Sequence, residues 1–449
     1  MDLHEFKDKL FKKGEKSGFN EMELFQNKRK SFDLRVFDQE IDHYAINEEE
    51  GFSLRAEIDG KIGYAYTEKS DNKSIDILIN EVKQNAEVLD KREEEIFGGS
   101  EKYKDIKPYT PELNNIDNQE KIDLVKSLEK YAFESDDRVT AVNYCLYSDQ
   151  EFENSIINSK GLDLNYKNNI AYLYLSVVAK EDDDVKTASR YIITQDFSEF
   201  DAKKLAKKAV DEVVSLFGSE SLPSGKYPVI FRRDVAADIL AEFSSTFSAE
   251  NVQKGMSLFK GKLEEKVANK NITIIDDPFL NRGFKTAPFD GEGVATYKKN
   301  IIEKGRLKTF LHNLKTARKA GTESTGNAER GSHKGYIDIS PTNMYIKPGS
   351  TDYDEIINSV EEGVLVTKLQ GLHAGANSVS GDFSLSAAGF YIENGKIKKP
   401  VEQITIAGNF IELLKDIEII GKDLKMGLPG NGHIGSPSLK VKELDIAGK

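Results

Sequence analysis

The sequence predicts an α+β protein in two parts: a mixed N-terminal α/β layer over residues 1–222, and a C-terminal domain over residues 223–449 dominated by antiparallel β-sheet with few helices. Three observations predict this. Helical and alternating apolar patterns interleave through the first half. Glycine is unevenly spread, with 9 in residues 1–224 and 25 in residues 225–449, which signals many turns and short strands in the later part. Between them, Leu222-Pro223-Ser224-Gly225-Lys226 supplies the turn-forming residues of a boundary.

In the first half, residues 2–17 place Leu3, Phe6, Leu10 and Phe11 at helical spacing, and Gly18 is the stop. Residues 32–37, 51–57 and 62–66 alternate as strands. Asp59-Gly60 between the last two is a hairpin signal. Residues 74–89 return to a helical pattern through Ile75, Ile77, Leu78, Val82 and Ala86. Residues 91–111 are charged, contain two prolines and read as a surface loop. A helix is predicted over 118–135, strands over 139–146, 151–158 and 171–179, and an amphipathic helix over 202–217.

In the second half, residues 227–231 read as a strand and 234–247 as a helix. Short strands follow at 272–275, 294–298, 336–339, 344–346, 363–368, 388–393, 401–406 and 438–444, with short helices at 315–320 and 411–414. No tandem repeat with a period of 20–50 residues is present.

Composition narrows the function classes. A net charge of −13 argues against a nucleic-acid backbone or an anionic membrane as partner. Cys145 is the single cysteine, so an internal disulfide, a four-thiolate zinc site and a thiol redox pair are all excluded. The N-terminal stretch is charged throughout, unlike a secretory signal, and no apolar run approaches the ~18 residues of a membrane span. The expected location is the cytoplasm.

The motifs that carry common chemistries are missing or lack their context. A zinc helix needs two histidines on one face with a glutamate base beside the first. The six histidines (4, 43, 312, 333, 373 and 433) are scattered, and no HExxH occurs. Residues 430–435 match GxGxxG, but Ser436-Pro437 and an alternating strand follow where a dinucleotide site needs a helix. They read as a turn into a late strand, and no cofactor is expected. Serines cluster at 244–248 and 378–386 without a GxSxG elbow. Two polar, small-residue segments stand out. Residues 322–331 carry Thr325, Gly326, Asn327 and Arg330; residues 371–383 carry His373, Asn377, Ser380, Asp382 and Phe383. Either they present contacts to an extended peptide or a partner, or they pack as ordered loops.

Eight phrases in order resemble the TldD/PmbA family: KGMSLFKGK (254–262), IDDP (275–278), DGEG (290–293), TGN (325–327), GANSVSGDF (375–383), AGFYIENG (388–395), PVEQITIAGN (400–409) and GSPSLKV (435–441). The strand pattern around residues 51–66 extends the resemblance loosely into the first half. In the TldD branch a helix carries HExxxH and a late cysteine completes a zinc site. Counted back from Lys254-Gly255, those positions hold Leu240, Ala241 and Ser245, and residues 427–435 contain no cysteine. The chain thus resembles the PmbA branch, also called TldE. The resemblance implies no metal in this chain and a partner, either a TldD-like zinc subunit or a second copy. It also implies a peptide or unfolded-protein substrate, with catalysis belonging to the zinc-bearing subunit. The alternatives are an independent hydrolase with an unrecognised site and a homodimeric peptide-binding scaffold. Leu240, Phe243 and Phe247, at i, i+3 and i+7, suit burial in place of metal binding.

Overall fold

Two tight turns build the first sheet. Asp38 and Gln39, with φ of 50° and 61°, join β1 (Glu21–Phe37) to β2 (Glu40–Ile58). Asp59 and Gly60, with φ of 54° and 76°, join β2 to β3 (Lys61–Thr67). Positive φ at both central residues is the requirement of a two-residue hairpin loop. The second turn is the predicted one. The first has no glycine and gave no signal. The computed structural model describes residues 1–88 and 98–449. The predicted surface loop therefore lies partly outside the described residues, as does Leu89.

Strands β4 (Val139–Asn158), β5 (Asp163–Glu181) and β6 (Asp184–Thr194) complete an antiparallel sheet of order β3-β2-β1-β4-β5-β6. The strands predicted at 139–146 and 151–158 are one strand of 20 residues. The intervening Tyr147-Ser148-Asp149-Gln150 looks like a turn in sequence, but its polar groups are held in place. Ser148 Oγ donates to Asp33 at 2.7 Å and Lys121 Nζ to Asp149 at 2.6 Å.

Helices α1 (Leu3–Lys16), α2 (Asn72–Glu87), the short α3 (Pro111–Asn114), α4 (Asn118–Ser135) and α5 (Ala202–Val214) belong to this part. In α1, α2, α4 and α5 the cap is an aspartate (Asp2, Asp71, Asp117 and Asp201) whose carboxylate accepts a first-turn N–H. Side chains alternate across a strand, and β1 uses both faces. Met22, Leu24, Phe32, Leu34 and Val36 enter the two cores that include the helices. Glu23 and Phe25 face the second half, where Phe25 packs with Ile156 and Phe289.

The second half begins with β7 (Gly225–Phe231), α6 (Arg233–Glu242) and α7 (Ala249–Lys254). Next come β8 (Ile274–Asp276), β9 (Lys299–Glu303), β10 (Arg306–Leu307), α8 (Leu314–Ala320), β11 (Ala328–Glu329), β12 (Asp338–Ile339) and β13 (Asn343–Ile346). They are followed by α9 (Tyr353–Asn358), β14 (Glu362–Gln370), α10 (Leu372–Gly375), β15 (Asp382–Glu393), β16 (Lys396–Asn409) and α11 (Phe410–Asp416). The last are β17 (Ile417–Ile420), β18 (Lys425–Met426), β19 (His433–Ser436) and β20 (Leu439–Ala447). The order β16-β15-β14-β7-β20 closes on itself, because β20 also pairs with β16; β17 extends from β20. This barrel is antiparallel except for β14 beside β7. A second sheet runs β10-β9-β8-β13-β19-β18, with β13 and β19 parallel. Strand exceeds helix, 41% to 25%, so the α+β reading with antiparallel-rich sheets holds.

Two of the predicted elements differ in ways that bear on the site. The strand predicted at 294–298 is a loop, and β9 starts at Lys299. The Val294 N–H donates to the Asp290 carboxylate at 3.0 Å, and the Thr296 N–H donates to the Pro288 carbonyl at 3.1 Å within a single isolated bridge between Phe289 and Ala295, so no longer ladder forms. The helix predicted at 234–247 stops at Glu242 and gives way to a 3₁₀ turn over Ser244–Phe247. Hydroxyl side chains there compete for backbone groups, as Thr246 Oγ1 does by donating to the Phe243 carbonyl at 2.5 Å. Phe243 and Phe247 remain buried, stacked on Phe410 and Phe259 at 4.4 Å and 5.0 Å.

Buried charge joins the first sheet to the second half. Glu23 on β1 is fully buried and accepts from Arg55 Nε on β2 at 3.2 Å and from Arg330. The Arg330 guanidinium also lies 4.9 Å over the Phe25 ring. Burial alone would raise the Glu23 carboxyl, but the charges of Arg55 and Arg330 outweigh it and hold the group below the usual carboxylate range. Nearby, Asp290 and Glu292 are shifted the other way. Burial raises both, and the Asp290 charge raises Glu292 further.

Replacing Glu23 with Ala removes the buried carboxylate that two buried guanidiniums share. The expected cost is ~3–5 kcal/mol, read as a lower urea midpoint. The acidic groups also set a pH dependence. The native pKa of Glu292 is raised, so the folded state holds a proton that the unfolded chain releases. Its contribution is full below the unfolded carboxylate value and is lost as pH rises through the raised native one. Urea midpoints should therefore fall less between pH 5 and pH 8 in Glu292→Gln than in the parent protein; an unchanged slope rejects the assignment.

Candidate functional site

Helix α6 leaves the barrel strand β7 and uses two faces. Val235, Ala236, Ile239 and Leu240 are buried in the core of the second half. Asp234, Asp238 and Ala241, at i, i+4 and i+7, line a cavity of about 420 Å³. Its other walls are Arg190 and Tyr191 from β6, Glu212 from α5, Lys425 from β18 and the glycine turn at residues 427–432. The cavity therefore lies between the first sheet with its helices and the second half.

Four of its charges satisfy one another. Arg232 Nε and Nη2 each meet an Asp234 oxygen at 2.7 Å, and Nη1 meets Glu212 at 2.9 Å. Arg190 pairs with Glu212 and lies 3.8 Å from Asp234. Burial, and then the Arg232 charge, pulls Arg190 down to about 10. Two further charges have no such match. Among the described residues neither Asp238 nor Lys425 makes an ion pair or a hydrogen bond, and Lys425 Nζ rests 4.0 Å over the Tyr191 ring. Asp238 is exposed to the cavity space, yet the surrounding walls, and then the Asp234 charge, push its carboxyl up to about 6. Burial pulls the Lys425 ammonium down to about 8.

The three positions aligned with the zinc motif go to different places. Leu240 is 1% exposed and packs near Phe410, Leu413 and Leu414. Ala241 lies on the cavity wall. Ser245 belongs to the 3₁₀ turn, where its carbonyl accepts from Asn251 Nδ2 at 2.8 Å. Leucine and alanine side chains offer no donor atom, and a lone serine hydroxyl is a poor zinc ligand. Among the described residues no group of three or more His, Cys, Asp or Glu side chains is placed to hold a metal ion. The residues present do not fit a zinc ion. His433 is buried alone, accepts from the Phe284 N–H at 3.0 Å through Nδ1, and is pulled down to about 4 by burial.

The two conspicuous loops do not meet at one cavity. Gly326, Asn327 and Arg330 line a separate space of about 270 Å³ against the first sheet. Thr325 and Asn327 are engaged internally. Thr325 Oγ1 donates to Asn327 Oδ1 at 2.8 Å, and Asn327 Nδ2 donates to the buried Asp276 at 2.9 Å. Arg330 is the Glu23 partner described above. The other loop is at the surface beside α6, where His373 Nδ1 lies 3.7 Å from Glu242. Asn377 Oδ1 accepts the Val379 and Ser380 N–H groups at 2.9 Å and 3.2 Å. Ser380 Oγ accepts from the Asp382 N–H at 3.2 Å, and Asp382 accepts from Asn409 Nδ2 at 2.9 Å. Phe383 is 4% exposed, edge-on to Phe243.

Asp238, Lys425, Arg190, Tyr191 and Arg232 did not emerge from the sequence. A signal existed for two of them. Arg232 belongs to a charged Arg232-Arg233-Asp234 triplet at the start of a predicted helix, and Asp238 breaks an otherwise apolar stretch one turn later. Lys425 and the β6 residues are brought in only by tertiary pairing.

Residues 224–448, 111–217 and 22–86 match the family models described as the C-terminal domain, central domain and domain 1 of PmbA/TldA metallopeptidases. An uncharacterized protein of Methanocaldococcus jannaschii is 30% identical over 445 residues, spanning 97% of this chain and 100% of the relative. A metalloprotease PmbA homolog of Buchnera aphidicola is 29% identical, spanning 74% of this chain and 71% of its own length. The crystal structure of TldE from Thermococcus kodakarensis superposes with a TM-score of 0.91 at 26% identity, covering 99% of this chain and all of that one. A Thermotoga maritima structure, described as a candidate modulator of a DNA gyrase, gives 0.92 at 36% identity, with coverage of 99% and 100%. The chain belongs to the PmbA/TldA metallopeptidase family.

Proposed function

We propose that this protein is the non-catalytic partner of a zinc-bearing, TldD-like subunit, and that the pair cleaves peptides or unfolded proteins. The observation that carries the reading is the donor set at the zinc-motif positions. Leu240 is core, Ala241 has no donor and Ser245 stands in a turn outside α6. A helix face released from coordinating a metal contributes apolar packing instead. Similarity to proteins named PmbA and TldE supports the branch, and similarity to a metalloprotease TldD homolog, 28% identical over 425 residues, supports a partner with the same scaffold. A cytoplasmic setting suits the single buried, unpaired thiol of Cys145. The chain would shape the substrate chamber and dock through its glycine-rich second half, with the loop from His373 to Phe383 among the exposed candidates for contact.

Two measurements test this. Elemental analysis of the purified chain is expected to find far less than one equivalent of zinc. Cleavage of an unfolded peptide is expected only after a zinc-bearing relative is added, and a chelator is expected to abolish it. Chelator-insensitive cleavage by the isolated chain refutes the proposal.

A further inference from the structure

Two charges of the cavity beside α6 make no side-chain ion pair or hydrogen bond among the described residues. Asp238 enters from α6 and Lys425 from β18. They are of opposite sign, yet they do not pair with each other. All the remaining charges on the wall are paired except Lys368, which is exposed to solvent. The lining also includes the apolar side chains of Leu369, Leu428 and Ile434. The glycine turn beside Lys425 adds no bulk, since open space lies where a Cβ on Gly430 would point. A volume of about 420 Å³ falls within the range of small-molecule sites.

Asp238 is exposed to the cavity space and Lys425 is half-buried, so both charges are open to a ligand. Here an acid and an amine, separated by more than an ion-pair distance, face one space. We propose that this cavity binds a compact zwitterion, its ammonium seated on Asp238 and its carboxylate on Lys425, as presented by a free amino acid or by the two ends of a short peptide. Both groups are shifted toward their neutral forms by their surroundings, and a ligand with the complementary charges reverses that pressure. The apolar lining favours an aliphatic side chain. Tyr191, under the Lys425 ammonium, holds that group at the cavity face.

This inference goes beyond the partner-subunit proposal and is independent of it, because it is read on the isolated chain without any cleavage assay. The experiment is calorimetric titration of the full chain with four probes: L-leucine, N-acetyl-leucine, leucinamide and the tripeptide Leu-Gly-Gly. L-Leucine is expected to bind, and the two single-charge probes at least about tenfold more weakly, each having lost one charge-assisted contact. Tight binding of the tripeptide with weak binding of leucine assigns the site to peptide ends; the reverse assigns it to free amino acids. Asp238→Asn should selectively weaken leucinamide and Lys425→Met should selectively weaken N-acetyl-leucine, with both melting like the parent protein. Absence of binding by all four probes overturns the proposal. So does leucine binding that is unchanged in both variants.

Discussion

A carboxylate held between two guanidiniums fixes how the parts of this molecule meet. Glu23 is contributed by the first strand of the chain, Arg55 by its hairpin partner, and Arg330 by a loop some 300 residues further on. A charge taken out of water is tolerated only when its partners are in place, so the contact has one acceptable arrangement. It sets the bare face of the first sheet against the second half. That alignment brings β6 opposite α6, and with it Arg190 and Glu212 toward Arg232 and Asp234. The cavity between them follows from a pairing made elsewhere along the same seam.

Helix α6 divides its positions between core and cavity. Leu240 turns inward and is core. Ala241 faces the cavity with no polar side-chain atom. Ser245 stands in a 3₁₀ turn, where serine and threonine hydroxyls compete with helical hydrogen bonding. Stacking of Phe243 on Phe410 and of Phe247 on Phe259 holds this arrangement from beneath. One turn back along the helix, Asp238 puts a carboxylate on the same cavity.

Much of the fold was legible in the residue pattern wherever local rules decide it. Aspartate caps, the Asp59-Gly60 turn and the apolar spacing of α1, α2, α4 and α5 all act within a few residues. The pattern was silent where long-range pairing decides. It split β4 at Tyr147-Ser148-Asp149-Gln150, because the groups that satisfy those residues, Asp33 and Lys121, are distant in sequence. It missed β6, whose partner is β5 alone, and it placed a strand at 294–298, where the Asp290 carboxylate takes the Val294 amide and only one isolated bridge forms. The family was legible from eight short phrases. The cavity was not, since its walls come from three sheets' worth of separate segments and only α6 belongs to a recognisable stretch.

The closed barrel also dictates a timetable for synthesis. β7 finds one neighbour in β20, whose residue Leu439 pairs with Phe231, roughly 200 residues earlier. Until the ribosome has released that late strand, β7 and β16 each present an unsatisfied edge, the kind of surface that invites mispairing. The first sheet needs nothing beyond Thr194 for its own ladder and can mature while translation continues. The nascent second half therefore waits with exposed backbone for most of its emergence, which makes it the part of this polypeptide most dependent on chaperone protection.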